Sequence, residues 1–383
     1  MLLYGLITII TITLAYMVKE IPVMSGTGRV GFALRPDRQN VLNRVALTAI
    51  FMILFLAGAL RIEVGNDYGT YVVTCHEIFQ RGYVVTEPGF NLVVRILYTL
   101  SGKEDYLLMF AVFAAAIAAV FLKVIKDQSD SFFLSFFMFM TMGIYFRTYN
   151  TVRYYFALAV AVYSIRYLVN ITKESFIKFL LLILLAATFH KSVLAVIPLY
   201  LVAMLPWGRW MYILMAAATV VTPLFSRAIM NVALKLYPSY RNTVYIEQEH
   251  SVLENLPVVI GCVATLFLCF ICYKDGVKDR RDNKMYFHMC IMAIALYIGC
   301  YFLPLVTRLG YYLVTPMILL VPNVICSVKD EDLRRRLKLL ICVICAIYFL
   351  YFLSTADEVG VRVLPYKSFL FHDRYWLNQT DTF

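Results

Sequence analysis

The chain has 383 residues, of which 62% are hydrophobic and 15% are charged, and its mean hydropathy is +0.75. Soluble domains average about 25% charged residues, so this composition excludes an ordinary soluble protein. The net charge of +11 does not indicate nucleic-acid binding, because Lys and Arg gather in the cytoplasmic loops of membrane proteins. The apolar residues form blocks of roughly 17 to 22, long enough to cross a bilayer, without the alternation of an outer-membrane barrel. The sequence predicts an all-α, polytopic membrane protein.

In chain order, the apolar blocks predict about 12 transmembrane helices within one integral membrane domain over residues 1–383. The first block has neither a basic n-region nor a small-residue cleavage site, so we interpret it as a span and not as a signal peptide. The predicted spans are 1–17, 43–60, 106–123, 131–147, 151–168, 176–189, 191–205, 209–225, 252–272, 286–304, 309–327 and 338–355.

Three loops rich in Lys and Arg set the predicted orientation. They follow the first span and also occupy 273–284 and 328–338. The positive-inside rule assigns all three to the cytoplasm, which places both termini outside. The stretch 176–205 reads either as one long helix or as two short helices broken at His190 and Lys191. Two short helices that meet outside preserve this orientation, as would one merged element that includes 209–225, and we favour the two helices.

This topology leaves three long external segments, at 61–105, 226–251 and the tail 356–383. Within the first, "PGFNLVVRILYTL" is too short to span comfortably and is predicted to form an interfacial or re-entrant helix. The second mixes apolar residues at helical spacing with tyrosines. It reads either as a lid over a cavity or as an ordinary amphipathic connector.

Charged residues gather at the predicted external ends of the spans, where bulk positive charge is not expected. Charge at membrane depth tends to face a bundle interior or a water-filled cavity. Taken singly, an arginine here equally fits snorkelling to lipid phosphates. Taken together, these residues suit an anionic, phosphate-bearing ligand that reacts with a group that must lose a proton. They are Arg61, Glu63, Asp67, Arg147, Arg153, His190, Lys191 and Arg308.

Several short motifs carry a family resemblance. "RIEVGNDYGTY" at 61–71 resembles the R-x-x-x-G-x-D-Y-x-x-Y stretch of the EpsG family of exopolysaccharide and O-antigen (Wzy-type) polymerases. The family's other motifs follow in order, over roughly residues 45 to 325. One departure is Arg153-Tyr154, where the family commonly has Arg-Gln. The remaining motifs are "EPGF" at 87–90, "TVRYYFALAV" at 151–160, "ATFHKSVL" at 187–194 and "TRLGYY" at 307–312.

The resemblance implies polymerisation of oligosaccharide repeat units at the outer face of the bacterial cytoplasmic membrane. In such enzymes the growing glycan moves from undecaprenyl pyrophosphate to the incoming unit. The resemblance also implies a fold related to the C-type glycosyltransferases, membrane lipids as surroundings, and a flippase and a chain-length regulator as possible partners. It implies no cofactor and no nucleic acid.

With a polyprenyl pyrophosphate donor, guanidinium groups would bind the departing pyrophosphate, and Arg61, Arg147, Arg153 and Arg308 are the candidates. A base would accept the proton of the sugar hydroxyl. Asp67 and His190 both fit, and Asp67 is favoured because it lies in the most specific motif. Glu63 is expected to orient Arg61. Without an Asp-x-Asp signature, we expect metal-independent transfer. The candidate sugar-binding residues are Tyr68, Tyr71, Tyr154, Tyr155 and Lys191.

Three other functions fit part of the pattern, one of which is a purely structural role in an export complex. A flippase or transporter of lipid-linked oligosaccharides would also need a cationic cavity, but its charge would extend through the bundle toward the cytoplasm. A membrane polysaccharide O-acyltransferase would use a lone histidine as base and a cytoplasmic acyl donor. The charge here lies mainly at the outer span ends, which favours an enzyme with a one-sided site.

Overall fold

The computed structural model describes residues 1–19, 38–82, 84–236, 251–304, 306–357 and 361–372. Its regular structure is helical, and no strand forms in these ranges. The prediction of an all-α, polytopic membrane protein is confirmed, whereas the count of 12 spans is not. Within the same ranges, seven helices are long and apolar enough to cross a membrane. They are Arg38–Ala59, Tyr106–Gln128, Val152–Val169, Arg209–Lys235, Val252–Ile271, Val306–Ser327 and Glu331–Ser354.

Several predicted spans are shorter or interrupted in the structure. Apolar helices of 10–17 residues occur at Leu2–Met17, Phe132–Thr141 and Lys191–Met204. The α-helices are α1 (Leu2–Met17), α2 (Arg38–Ala59), α3 (Tyr68–Phe79), α4 (Pro88–Ser101), α5 (Tyr106–Gln128), α6 (Phe132–Thr141), α7 (Ile144–Arg147), α8 (Val152–Ser164), α9 (Arg166–Val169), α10 (Lys173–Ala187), α11 (Val196–Met204), α12 (Arg209–Val221), α13 (Ser226–Leu236), α14 (Leu256–Ile271), α15 (Arg281–Gly299), α16 (Val306–Val314), α17 (Met317–Ser327) and α18 (Glu331–Ser354).

The contacts divide the chain into two compact units. The first draws on Met1–Tyr163, Leu184–Lys191 and Asp330–Phe383, as far as these are described, and the second on Ser164–Ile183 and Ser192–Lys329. In the first unit α2 packs along α5, while α6 contacts both α1 and α18. In the second unit α15 is central and contacts α11, α12, α14, α16 and α17.

The predicted external segment 61–105 forms two helices, α3 and α4, which pack on each other and on α5. Local sequence signals set their ends. α4 carries Pro88 in its first turn, where a missing N–H costs nothing. Gly102, with φ 67°, follows its last residue as the C-cap. α5 begins at Asp105, whose side chain accepts a hydrogen bond from the Leu107 N–H. At about 1.5 Å per residue, the 14 residues of α4 are too short to cross a bilayer core of about 30 Å.

The stretch 176–205 contains two helices, as we favoured. α10 ends at Ala187, and a 3-10 helix begins at Lys191 and leads into α11. The N–H groups of Phe189 and His190 both bond to the Ala186 carbonyl, each at 3.0 Å, which closes the end of α10.

The predicted boundary between a span at 209–225 and an external segment at 226–251 falls inside one helical stretch. Helical structure continues from Arg209 to Lys235 through a 3-10 turn, Thr222–Phe225, that contains Pro223. Proline interrupts the helical hydrogen bonds without ending the helix here. Residues 237–250 of the predicted lid lie outside the described residues.

The described part of the C-terminal tail returns to the loop that follows α2. We call residues 361–369 the C-terminal strap. The N–H of Ile62 donates to the Lys367 carbonyl at 2.9 Å, and the N–H of Phe369 donates to the Leu60 carbonyl at 3.1 Å. An antiparallel bridge joins Arg61 to Ser368 between them. The strap therefore runs antiparallel to residues 60–65.

Candidate functional site

Arg61 lies inside the first unit and is 2% exposed. Its guanidinium donates to the carbonyls of Gly58 at 3.1 Å and Tyr149 at 3.2 Å. It also stands over the rings of Phe110 and Tyr149, at 4.8 and 4.7 Å from their centroids, which is cation–π distance. Burial lowers the pKa of this guanidinium. The structure gives Arg61 a role in holding its loop, which differs from the predicted contact with pyrophosphate.

Gly65, in the same motif, also helps to hold this loop in place. Gly65 has φ +100°, a conformation that residues with a Cβ rarely adopt. A Cβ there would also collide with the Tyr149 carbonyl. Beside it, the Asn66 N–H donates to the side-chain oxygen of Asn150. The loop 61–67 is thereby fixed against the turn at 149–150.

Glu63 does not orient Arg61, contrary to expectation. It is exposed and pairs with Lys367 of the C-terminal strap. The orientation of Arg61 comes from two backbone carbonyls and two aromatic rings instead, because these surround a guanidinium that Glu63 does not reach.

Asp67 stands at the N-terminus of α3 and connects two of the sequence motifs. Its Oδ2 accepts a hydrogen bond from the Thr151 hydroxyl at 2.8 Å. The side chain does not cap its own helix, and the residue is half-buried. The carboxylate therefore bonds to the residue before α8 and does not bond to the backbone of α3.

Arg153, in the first turn of α8, forms the centre of the site. Its guanidinium pairs with the Glu87 carboxylate, and the two side chains are 20% and 16% exposed. It also lies 5.7 Å from the Tyr71 ring and 5.3 Å from the Phe90 ring. Its Nε is buried and has no hydrogen-bond partner among the described residues. The Nε of Arg61 is likewise buried without a partner among these residues.

Tyr71 joins Arg153 to Asp67. Its hydroxyl accepts a hydrogen bond from the backbone N–H of Arg153 at 3.2 Å. Burial raises the pKa of Tyr71; Arg153 opposes that rise, and the Asp67 carboxylate adds to it. Asp67 and Arg153 therefore act electrostatically on the same buried hydroxyl.

Glu87 is the residue for which the sequence provided no assigned role. One carboxylate oxygen accepts from the Lys191 backbone N–H at 3.3 Å, and the other binds Arg153. Two residues later, the Gly89 N–H donates to the Thr188 carbonyl at 2.8 Å. A Cβ on Gly89 would lie 2.8 Å from that same carbonyl oxygen. The available signal was an acid directly before Pro-Gly at a helix start, in a motif that the family shares.

His190 is 9% exposed and faces Tyr154 edge-on, with their ring centroids 5.4 Å apart. Tyr154 and Tyr155 are themselves buried, and their rings lie 5.2 Å apart. Tyr68 is buried as well and stacks on Phe110 at 4.6 Å. These tyrosines pack within the first unit, whereas the predicted sugar-binding role would require an open face. The Lys191 side chain is exposed.

The first unit thus brings together most of the predicted polar site. We call this group the Arg153 cluster; it consists of Asp67, Tyr71, Glu87, Arg153, His190 and Lys191. Arg147 is in the first unit but outside this cluster. It is half-buried, and its guanidinium lies 5.3 Å from the centroid of the Phe352 ring in α18. Arg308 belongs to the second unit, where it is half-buried on α16.

Comparison with known proteins places the chain beside one family of membrane proteins. The sequence model of the EpsG family matches residues 44–368 of the 383-residue chain, a range that contains every member of the Arg153 cluster. Searches of curated proteins and of solved structures each returned no significant match.

Proposed function

Because the chain belongs to the EpsG family, whose members are membrane proteins of the polysaccharide polymerase type, we propose that it joins lipid-linked oligosaccharide repeat units into a polysaccharide. The donor would be a glycan on a polyprenyl pyrophosphate, and the acceptor a sugar hydroxyl of the next unit. The reaction would take place at the outer face of the bacterial cytoplasmic membrane. A flippase and a chain-length regulator of the same pathway would be its partners.

The Arg153 cluster is the observation that supports this proposal. Hydrogen bonds link Tyr71, Arg153, Glu87 and the backbone N–H of Lys191 in series. Asp67 bonds to Thr151, two residues before Arg153, and His190 directly precedes Lys191 in the chain. The departing pyrophosphate needs positive charge, which the paired Arg153 guanidinium and the exposed Lys191 side chain would supply. The partly exposed guanidinium of Arg153 would donate to a phosphate oxygen. Glu87 positions Arg153 and is not itself expected to exchange a proton, because both of its oxygens accept hydrogen bonds.

Asp67 is the base that the geometry favours over His190. It is half-buried and accepts one hydrogen bond, at Oδ2, from Thr151. His190 is 9% exposed and packs against Tyr154, so an acceptor sugar has less access to its ring. In the proposed reaction the acceptor oxygen attacks the anomeric carbon and passes its proton to Asp67. The bond from that carbon to the pyrophosphate oxygen breaks, and Arg153 and Lys191 stabilise the negative charge on the departing pyrophosphate.

The proposal is tested by chain growth in vitro. Lipid-linked repeat units would be extracted from a host strain that lacks the gene for this protein. They would then be incubated with the purified protein in liposomes. We expect a ladder of products that differ by one repeat unit. Asp67→Asn should slow ladder formation by about 10²–10⁴-fold, because it removes the base. Thr151→Val is the matched variant, since it removes the hydrogen bond to Asp67 but keeps the carboxylate, and it should retain most of the activity.

Other products would contradict the proposal in defined ways. Translocation of the unit across the bilayer without chain growth would indicate a transporter. Formation of an ester on the glycan would indicate an O-acyltransferase. Full activity of the Asp67→Asn variant would remove that carboxylate from the reaction.

A further inference from the structure

The second unit contains a cavity of about 480 Å³ that is independent of the Arg153 cluster. This volume lies within the range of small-molecule sites, about 300–1,000 Å³. Its walls come from helix ends: the end of α9, the end of α11, the start of α12, the π-helical turn Tyr273–Val277 and the start of α15. The cavity is therefore at one end of this unit's helices and not at mid-length.

One wall of the cavity is basic. Arg281, Lys284 and His288 all line it, and their spacing of i, i+3 and i+7 places them on one face of α15. Arg281 is exposed and Lys284 half-buried, and neither has an acidic partner among the described residues. The acid in this turn, Asp282, pairs with Arg280 at 2.7 Å instead.

The position of these cations in their helix is unfavourable unless an anion is present. The N-terminus of a helix carries a partial positive charge, and cations there are repelled. Arg281 and Lys284 both lie in the first turn of α15. An anionic group in the cavity would interact favourably with both side chains and with the helix N-terminus.

The remaining walls are aromatic and apolar. The Trp207 ring stacks on His288 with centroids 4.4 Å apart and planes 7° from parallel. Hydrogen bonds fix both rings: Trp207 Nε1 donates to the Val202 carbonyl at 2.9 Å, and His288 Nδ1 to the Ala203 carbonyl at 2.8 Å. Leu168 and Met204 extend the wall. Trp and Tyr typically lie at the level of lipid headgroups, with their apolar parts toward the acyl chains.

We propose that this cavity binds an anionic phospholipid of the bilayer, with its phosphate on Arg281 and Lys284 and its glycerol and upper acyl chain against Trp207 and the apolar wall. Basic pockets between transmembrane helices are known to take such headgroups. A free phosphate ion would use the cations but not the apolar walls, which make up most of the lining. This proposal stands whether or not the chain is a polymerase.

The test is lipid binding by the purified full-length protein, measured by native mass spectrometry in detergent. The probes are phosphatidylglycerol, phosphatidylcholine, a polyprenyl phosphate and inorganic phosphate. We expect phosphatidylglycerol to be retained in preference to the other three. Thermal unfolding of the wild-type protein gives a second readout, and phosphatidylglycerol should raise its midpoint more than phosphatidylcholine.

The discriminating variant is Arg281→Gln with Lys284→Gln. Each cation near an anionic lipid headgroup is worth about 1 kcal/mol, so the double variant should bind phosphatidylglycerol roughly 30-fold more weakly. Its matched control is Lys274→Gln with Lys278→Gln, which removes the same charge from exposed residues of the preceding turn that do not line the cavity.

Three results would overturn the assignment. The first is equal weakening in both double variants, which would indicate attraction by the whole basic loop. The second is equal binding of phosphatidylcholine or of phosphate alone. The third is preferential retention of the polyprenyl phosphate, which would assign the cavity to a carrier lipid.

Discussion

Two arginines to which the sequence assigned the same role have different environments in this protein. Arg61 is 2% exposed and donates to two backbone carbonyls, whereas the Arg153 side chain is 20% exposed and pairs with a carboxylate. Both lie in family motifs, so the sequence did not separate them. Burial and partner type separate them, because a phosphate can reach a partly exposed guanidinium more easily than one enclosed in the unit.

At the same scale, Glu87 is expected to position Arg153 for its ligand. Glu87→Gln removes the negative charge but keeps nearly the same shape, so the guanidinium loses its ionic anchor. We expect ladder formation to slow by about 10²-fold, as small displacements of positioning groups typically do. The apparent KM for the lipid-linked donor should rise as well, since Arg153 would bind it less well.

The matched control is Glu77→Gln, which neutralises an exposed acid in α3, within the same segment 61–105. It should leave both constants unchanged. Equal activity of the two variants would show that the Glu87–Arg153 pair has no part in the reaction.

At the scale of the elements, the site depends on how the start of α4 meets the end of α10. Gly89 allows the two backbones to approach, and its N–H donates to Thr188 at 2.8 Å. This contact places Glu87 against the Lys191 N–H. Glycine is thus required by the close approach of the side chain and carbonyl of Thr188 and not by a turn.

Gly89→Ala should separate these elements. Its Cβ would lie 2.8 Å from the Thr188 carbonyl oxygen, and such overpacking costs about 1–3 kcal/mol. We expect a lower thermal unfolding midpoint in detergent and a loss of chain growth in the same variant. Gly69→Ala is the control, because nothing lies within 4 Å of its added Cβ. Its midpoint should be unchanged or slightly higher, since alanine favours a helix by up to about 1 kcal/mol. A Gly89→Ala protein as stable as wild type would contradict the close approach.

At the scale of the whole first unit, the chain closes on itself. Lys367 of the C-terminal strap pairs with Glu63, 304 positions earlier in the sequence. Tyr366 adds a hydrogen bond to the Ala57 carbonyl at 3.0 Å, and burial raises the pKa of Tyr366 to about 12, so its hydroxyl stays protonated at neutral pH. The strap thereby covers the loop that carries Arg61 and leads to Asp67.

A charge exchange tests whether Glu63 fastens the strap or takes part in the chemistry. Glu63→Lys would place two lysines together and loosen the strap, as would Lys367→Glu. Because this pair is about 40% exposed and worth at most about 1 kcal/mol, each single variant should speed proteolytic cleavage in the strap by up to about fivefold. The combined exchange should restore both resistance and chain growth. Chain growth that is lost in Glu63→Lys and does not return in the combined variant, although resistance to proteolysis does, would indicate a direct role of Glu63 in the reaction.

The sequence alone was enough to identify the helical membrane class, the family and the polar residues that its motifs contain. These properties are local: an apolar block of sufficient length specifies a helix in lipid, and a short motif keeps its residues together. Helix breaks such as that before Lys191 were also readable, because polar residues interrupt an apolar run there.

Only the tertiary structure showed which of these residues work together. It buried Arg61, joined Glu87 to Arg153 across 66 positions, linked Asp67 to Thr151 across 84 and returned the tail to Glu63. Such contacts depend on how helices pack, and packing is decided by the shapes of many side chains at once. No local pattern of residues carries that information, so the partner of each charged group had to be read from the fold.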